Sequence, residues 1–311
     1  MTDQQATSLE AYLDRESAAR VPPSIQAVAE AARLRHGASV LAILFYGSCL
    51  RDGDDEGKIV DLYLLVSGYR EALANPVSAA LARLLPPNVY YIETGFGQRS
   101  VRAKYAVLAF NQFLDAASGG RRHPFVWTRF AQPTAIAYLK REELRQPLVA
   151  ALAGAVRTSI AECLPLLDES FDAAGLWQRL FEESYRTELR AEGPGRARKI
   201  VEAFDERYRQ VTALALDDGE GPKAVFHHHV APDEHRRCAR RWMVRRLIGK
   251  PLNVLRLLKA AFTFQGGARY LAWKIERHSG VKVELTPWQE RHPILASSVL
   301  FWRLYRKGAF R

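Results

Sequence analysis

The sequence has few cysteines and no pairing pattern among them. Its three cysteines, Cys49, Cys163 and Cys238, are far apart and odd in number, which excludes a disulfide framework and a paired-cysteine zinc site. No run of about 18 apolar residues occurs, so the sequence predicts no bilayer-spanning helix. The polar, acidic N-terminus lacks the basic flank and apolar block of a secretory signal. We therefore expect a protein of the reducing cytoplasm that works where it is made.

Acidic residues are scarce in the last third of the chain. Residues 223–311 hold 19 Lys and Arg against 5 Asp and Glu, a local balance of +14, whereas the rest of the chain carries −3. A field of one sign attracts a polyanion, so this region predicts an anionic membrane or a nucleic acid as partner. Charge alone does not separate the two.

The first 133 residues carry the pattern of a small mixed sheet covered by helices, an α+β domain. Short β-prone apolar runs predict strands, and amphipathic segments predict helices. The predicted strands are Val40–Tyr46, Ile59–Val66, Val89–Thr94 and Val101–Phe110, and the predicted helices are Ser8–Arg20, Ser24–Arg35 and an interrupted Tyr69–Leu85.

The remainder of the chain is predicted to be mostly helical. Helices over Pro147–Cys163 and Arg196–Leu214 mark a helical domain at residues 134–222. An acidic, glycine-rich linker at Asp217–Pro222 ends it. The basic region 223–311 forms the third part.

A strand that ends in Gly47-Ser48 and an aspartate on the next strand form the most informative local pattern. Glycine lets a phosphate approach the backbone, and a serine hydroxyl adds a hydrogen bond. Asp61 can then hold Mg²⁺ against the same phosphates. The pattern resembles the nucleotidyltransferase superfamily, which makes Tyr46, Gly47 and Ser48 candidate nucleotide-binding residues and Asp61 a candidate catalytic residue and metal ligand. A turn with only a structural role, followed by an acidic residue at the edge of a strand, would give the same sequence pattern.

Tyr63 occupies the position where that superfamily carries a second carboxylate, in Asp-x-Asp or Asp-x-Glu. In the resembling enzymes the acid pair binds the ion that activates a hydroxyl nucleophile. A phosphate monoester needs no such activation, because its second pKa is about 6 and it is largely ionised at neutral pH. The sequence therefore favours a phosphate acceptor over a hydroxyl acceptor.

Further segments, in the same order along the chain, resemble the mitochondrial-type CDP-diacylglycerol synthases, the translocator assembly and maintenance family. The segments are Asn88–Tyr91, Lys104–Val107, Arg129 with Gln132-Pro133, Ser184–Arg190, and Lys259–Thr263 with Arg269, Tyr270 and Lys274. Thr128 and Thr187 stand here where the family has glycine, and Glu188 where it has aspartate. That family also lacks the second carboxylate.

The resemblance implies a nucleotidyltransferase domain, a helical domain of winged-helix type and a membrane-associating end. It also implies a reaction of CTP with phosphatidic acid that gives CDP-diacylglycerol and pyrophosphate, with Mg²⁺ as cofactor. The expected partners are thus CTP, phosphatidic acid and an anionic membrane surface, with no nucleic acid. The expected location is the inner face of a membrane, as a peripheral protein.

The resemblance and the residue chemistry together give roles to four charged side chains. Lys104, which projects from a strand, would balance charge on the leaving pyrophosphate. Glu188 would supply a second catalytic acid from the helical domain. Arg129 and Arg190 would bind nucleotide phosphates. For each of them the alternative is a solvated surface charge or a surface salt bridge.

Two segments of the basic region have the pattern of helices that lie in a membrane surface. Arginines surround Trp242 in Arg236–Arg246, and cations interleave with aliphatic and aromatic residues in Ile294–Phe310. The candidate lipid- or membrane-contacting residues are Lys259 and Arg269, from the resemblance, and Trp302 and Arg303, from the tail pattern. His227-His228-His229 predicts no metal site, because consecutive histidines do not converge on one ion.

Two other functions compete with this interpretation. The arginine cluster and a pI of about 9.7 also fit a nucleic-acid-binding nucleotidyltransferase. The missing second acid also fits a catalytically inactive adaptor that kept the fold.

Overall fold

A five-stranded mixed sheet forms the centre of the structure. The computed structural model describes residues 8–121, 123–188, 195–216, 223–263 and Thr286. The strands are β1 (Val40–Tyr46), β2 (Val60–Val66), β3 (Asn88–Phe96), β4 (Arg99–Ala109) and β5 (Thr134–Leu139), in the order β3-β4-β2-β1-β5. β2 and β4 are parallel, and the other neighbours are antiparallel. This confirms the predicted α+β class and the four predicted strands, whose ends agree to within two residues.

Helices surround this sheet and continue beyond it. They are α1 (Leu9–Ser17), α2 (Pro23–His36), α3 (Ser48–Asp52), α4 (Tyr69–Ala72), α5 (Pro76–Leu84), α6 (Phe110–Ala117), α7 (Trp127–Phe130), α8 (Arg145–Cys163), α9 (Ala173–Arg186), α10 (Arg196–Glu202), α11 (Asp205–Leu216) and α12 (Pro232–Thr263). A short ladder joins β6 (Ser170–Phe171) to β7 (Phe226–His227). The predicted helix Arg196–Leu214 is two helices, α10 and α11, separated at Ala203 and Phe204.

β5 is an exception in the region from Thr134 onward, which is otherwise mostly helical as predicted. This segment pairs with the edge of β1 and completes the sheet. Thr134, Ile136 and Tyr138 alternate with smaller or apolar residues, which is the period of a strand. The sheet therefore includes residues beyond the predicted domain boundary at residue 133.

The two faces of the sheet bury different sets of helices. One face packs against α2, α4 and α5, with Ile25 and Val28 of α2 against Phe45 and Leu64 of the strands. The other face packs against α1, α6, α7 and α8. Because side chains alternate along a strand, Leu44, Tyr46, Tyr63 and Leu65 point to this second face.

The core on the second face continues without a break into the helical region. The same cluster of buried side chains extends through α8, α9, α10 and α11 to Cys238 and Trp242 of α12. The indoles of Trp127 and Trp242 meet edge to face, with ring centroids 5.9 Å apart. The boundary predicted at residue 133 therefore coincides with no gap in the core.

One described segment, Glu142–Leu166, is long and apolar enough to cross a membrane by length and composition alone. It contains α8, which lies in the middle of the core. Leu148, Leu152 and Val156 are buried in the cluster that α8 shares with its neighbouring helices. The packing accounts for its apolar character, since a helix that is buried on most sides is apolar on most sides.

Candidate functional site

Asp61 belongs to a row of side chains that crosses the sheet where β1 ends. Backbone pairing places Tyr46 on one side of Asp61 and Lys104 on the other. Lys104 Nζ lies 3.5 Å from Asp61 Oδ1. The structure thus brings together three residues from three separate strands, all of which the sequence analysis singled out.

The turn after β1 faces the Asp61 carboxylate directly. Gly47 has φ +88°, and a Cβ atom at this position would lie 3.0 Å from Asp61 Oδ2. A side chain here would be both strained and in the way of the carboxylate. Ser48 begins the short helix α3, whose first backbone N–H groups have no partner within the helix. Backbone donors and a carboxylate therefore lie on the same side of the sheet edge.

Arg129 forms a wall of this site from α7. Its Nη1 donates to the Tyr46 hydroxyl at 3.0 Å, and its guanidinium carbon lies 5.5 Å from the Tyr46 ring and 4.9 Å from the Phe125 ring. Trp127 and Phe130, on the same short helix, are fully buried and hold it in place. Burial raises the pKa of the Tyr46 phenol, so this hydroxyl stays protonated. Arg129 is an anchored cation next to Tyr46, not a side chain extended into solvent.

Arg256 of α12 joins this group, and the sequence analysis did not identify it. Its Nε donates to the carbonyl of Pro86 at 3.1 Å, and its guanidinium carbon lies 4.7 Å from the Phe125 ring. Burial lowers the pKa of the Arg256 guanidinium, and Tyr63, Arg129 and Glu188 also act on it electrostatically. Helix α12 therefore brings a second arginine close to Arg129. No local sequence pattern could have indicated a contact between parts of the chain so far apart.

Glu188 lies just beyond the end of α9 and is half-buried. Its backbone N–H donates to the carbonyl of Tyr185 at 3.0 Å, which continues the last turn of the helix. Glu188 is among the groups that influence the pKa of Arg256, so its carboxylate lies within electrostatic range of the two arginines. The structure thus places Glu188 near the site.

Tyr63 fills the position of the absent second acid. It is 1% exposed and packs against the rings of Phe130 and Tyr46, at centroid distances of 5.0 and 5.6 Å. Its hydroxyl has no hydrogen-bond partner among the described residues. Burial raises the pKa of this phenol. An aromatic cluster therefore closes the place where a second carboxylate after Asp61 would lie.

The donors present fit a magnesium ion that arrives with a nucleotide. Among the described residues, no group of three or more His, Cys, Asp or Glu side chains converges as a metal site. The Asp61 side chain is 26% exposed and offers one carboxylate. Mg²⁺ is commonly held by one or two carboxylates together with substrate phosphates and water. Asp61 would supply the protein ligand, and phosphate oxygens would supply others.

The predicted lipid-contacting residues have different outcomes. Lys259 is 6% exposed, and its ammonium donates to the carbonyls of Leu85 and Pro87. It ties α12 to the loop before β3, so its ammonium is bound within the protein. The other predicted site residues, Arg190, Arg269, Trp302 and Arg303, lie outside the described residues.

Much of the arginine cluster on α12 is neutralised within the protein. Arg241 and Arg245 pair with Glu162 of α8, and Arg246 pairs with the buried Glu183 of α9. Within the described part of the chain, Arg237 and Arg240 make no ion pair, and both line a cavity of about 490 Å³ on this helix. Apolar residues of α12 are nevertheless exposed. They are Met243, Val244, Leu247, Ile248, Val254, Leu255 and Leu258.

Cys49 follows the turn but is not reactive in this fold. It is 1% exposed, and its thiol donates to the carbonyl of Ile59 at 3.4 Å. Burial, followed by the charge of Asp61, raises the pKa of the Cys49 thiol to about 11. A thiol with this pKa is not ionised at neutral pH and does not act as a nucleophile.

Comparison with known proteins adds little to the geometry. No protein-family model matches the chain, and no curated protein matches it. Among solved structures, the chain is similar to a nucleotidyltransferase-like protein from Exiguobacterium sibiricum 255-15. The identity is 14%, 92% of each chain is covered, and the TM-score is 0.26. The overlap covers most of both chains, but the low TM-score means that the two structures superpose poorly.

Proposed function

We propose that this protein is a magnesium-dependent nucleotidyltransferase, which transfers CMP from CTP to phosphatidic acid and releases pyrophosphate. One observation carries the proposal: the Gly47-Ser48 turn lies so close to the Asp61 carboxylate that a Cβ atom on Gly47 would meet it, and Lys104 lies 3.5 Å from the same carboxylate. This is the arrangement of a phosphate cradle next to a metal-binding acid.

Each residue of the site has a distinct role in the proposed reaction. The backbone N–H groups after Gly47 bind and orient the triphosphate, and Asp61 holds the ion that accompanies it. When bound, Mg²⁺ would neutralise phosphate charge. Lys104, whose side chain is 39% exposed, turns from Asp61 toward the pyrophosphate that leaves.

The bond changes balance without a catalytic base. An oxygen of the acceptor phosphate forms a bond to the α-phosphorus of CTP. The bond from that phosphorus to the bridging oxygen breaks, and pyrophosphate departs with the electron pair. A phosphate dianion has no proton to lose, so Tyr63 in place of a second acid does not block the reaction.

The choice of CTP is supported by the sequence resemblance alone. The choice of phosphatidic acid is supported by the resemblance and by the surface of α12. The exposed fractions of Leu247, Leu255 and Leu258 are 67, 52 and 56%. Apolar side chains beside arginines are what a helix needs to lie on an anionic membrane, where a lipid acceptor is found. An anionic membrane surface is therefore part of the proposal.

The decisive experiment supplies radiolabelled CTP and phosphatidic acid in mixed micelles to the full-length protein with Mg²⁺. We expect a labelled lipid product from the wild type and a loss of at least about 100-fold in turnover for Asp61→Asn. This change keeps the shape of the side chain and removes its charge. Circular dichroism and thermal unfolding would verify that the variant is folded.

Asp205→Asn is the matched control, because Asp205 is a partly exposed carboxylate that pairs with Arg209 on the same helix, α11. Its turnover should equal that of the wild type. Undiminished turnover in Asp61→Asn would end the assignment of the metal ligand. Absence of a lipid product with the wild type, together with failure to bind Mg·CTP, would favour an inactive adaptor.

A further inference from the structure

A second cavity, of about 230 Å³, lies between the sheet and α12. Leu85, Leu108 and Leu252 contribute to its apolar walls. Its donor groups are those of Gln112, Arg121, His123 and Arg256. None of its lining residues is Asp or Glu, although Arg121 pairs with the nearby Asp115. This combination fits a ligand with an anionic head and an apolar chain.

His123 lines this cavity and carries a ring proton that no described residue accepts. The backbone N–H of Phe125 donates to His123 Nδ1 at 3.2 Å. Burial, together with Arg256 and Arg245, lowers the pKa of His123 to about 4, so the ring is neutral at neutral pH. Because Nδ1 accepts a hydrogen bond, the proton of the neutral ring is on Nε2. This Nε2 is buried and has no partner among the residues that the structure describes.

Arg256 and Tyr63 add two more unused donors. Arg256 Nη1 is buried without a hydrogen-bond partner in the described chain, although its Nε is bound to Pro86. The Tyr63 hydroxyl is also buried without a hydrogen-bond partner among the described residues. Tyr63 is one of the groups that act on the pKa of Arg256. Leaving a buried donor unpaired costs on the order of 1–3 kcal/mol, so several of them close together indicate a missing acceptor.

We propose that this cavity holds the acceptor, an amphiphile with a phosphate monoester head and an acyl chain. The phosphate lies between Arg256 and His123, two lining residues whose buried donors have no partner among the described residues. The first methylenes of the chain fill the apolar part of the cavity, and the rest continues along the exposed apolar residues of α12. This inference rests on the proposed function, since it assigns the acceptor to the same reaction.

A binding experiment without CTP tests the cavity alone. Dihexanoyl phosphatidic acid, which is soluble, is titrated calorimetrically into the full-length protein, with dihexanoyl phosphatidylcholine and inorganic phosphate as comparison ligands. We expect phosphatidic acid to bind more tightly than either. Arg256→Gln and His123→Phe should each weaken its binding on the order of tenfold to a hundredfold.

Matched variants keep this test clear of folding effects. Arg198→Gln is the control, because Arg198 is 70% exposed and pairs only with Glu202 on α10. It should bind phosphatidic acid like the wild type. Arg256→Lys preserves a positive charge and should recover part of the binding that Arg256→Gln loses. Equal binding of all three ligands by the wild type, or full binding by Arg256→Gln, would overturn the inference.

Turnover distinguishes a failure of the inference from a failure of the proposed function. Arg256→Gln should raise KM for phosphatidic acid by the same factor and leave KM for CTP unchanged. If both KM values rise together, Arg256 binds the nucleotide and the acceptor site is elsewhere. If phosphatidic acid binds and Arg256→Gln abolishes this, but no nucleotide is transferred, the site stands and the proposed function falls.

Discussion

Two residues apart on one strand, Asp61 and Tyr63 show how a single side chain changes the chemistry open to a site. Both point to the same face of the sheet, because strand residues alternate. An acid at position 63 would lie among Phe130, Tyr46 and other rings, where an ionised carboxylate is expensive unless a cation accompanies it. The tyrosine fits this aromatic surrounding and leaves Asp61 as the one acid of this row across the sheet.

Another single residue, His123, should make the free energy of unfolding depend on pH. Its pKa is lowered to about 4 from the ordinary 6.5, mainly by burial. Between these values the unfolded chain binds a proton that the folded protein does not, so stability falls as the pH is lowered from about 7 to about 5. We expect a loss on the order of 1–2 kcal/mol in the free energy of unfolding. Urea unfolding at the two pH values measures it.

The variant His123→Phe isolates this contribution. It removes the titrating ring, so its stability should fall less than that of the wild type over the same pH interval. Burial also lowers the pKa of His36, and some pH dependence in the same direction will therefore remain. An unaltered pH dependence in His123→Phe would show that this histidine is not responsible.

Among the elements, α12 is packed so closely that a glycine is required in it. A Cβ atom on Gly249 would lie 2.3 Å from the carbonyl oxygen of Thr187 and 3.1 Å from His123 Nε2. Asn253 Nδ2 donates to the same carbonyl at 3.4 Å. The end of α9 and the segment at His123 are thus in direct contact with the backbone of α12.

Gly249→Ala should destabilise the protein although alanine is the better helix former. Helix propensity alone would favour the variant by about 1 kcal/mol. The clash should outweigh it and give a net loss on the order of 1–3 kcal/mol in the free energy of unfolding. Gly95→Ala, with nothing within 4 Å of its Cβ, is the control. A Gly249→Ala variant more stable than the wild type would contradict the close contact.

The elements also show how far the sequence could predict this structure. The continuous apolar, β-prone run over Val40–Tyr46 and its Gly-Ser ending were sufficient to locate β1 and the turn. β5 was missed although Thr134, Ile136 and Tyr138 alternate, because helix-forming sequence follows it closely. Arg256 could not be predicted at all, since its place beside Arg129 depends on how α12 packs against the rest of the chain.

For the whole molecule, the exposed apolar residues of α12 predict binding to anionic vesicles. Replacing both Leu247 and Leu258 by Gln should weaken binding on the order of tenfold per leucine, because each leucine loses apolar area that the lipid would bury. Sedimentation with vesicles of phosphatidylcholine, with and without phosphatidylglycerol, measures the effect. Both side chains are exposed, so folding should not change.

Leu34→Gln is the matched control for this prediction. Leu34 is 65% exposed on α2, far from α12 in sequence and on the opposite side of the sheet from the second face. The variant should bind vesicles like the wild type. Equal losses in both variants, or none in the α12 variant, would remove α12 as the membrane-binding element. A gel shift with RNA at matched salt would then test whether the protein binds nucleic acid instead of a membrane.

The edge-to-face contact of Trp127 with Trp242 has an optical consequence. Both indoles are shielded from water, and they belong to the sheet layer and to α12 respectively. If α12 left its place, both rings would meet solvent and their fluorescence would shift to longer wavelength. The protein therefore contains its own label-free reporter of whether the helix that carries Arg256 is packed against the part of the protein that holds Asp61.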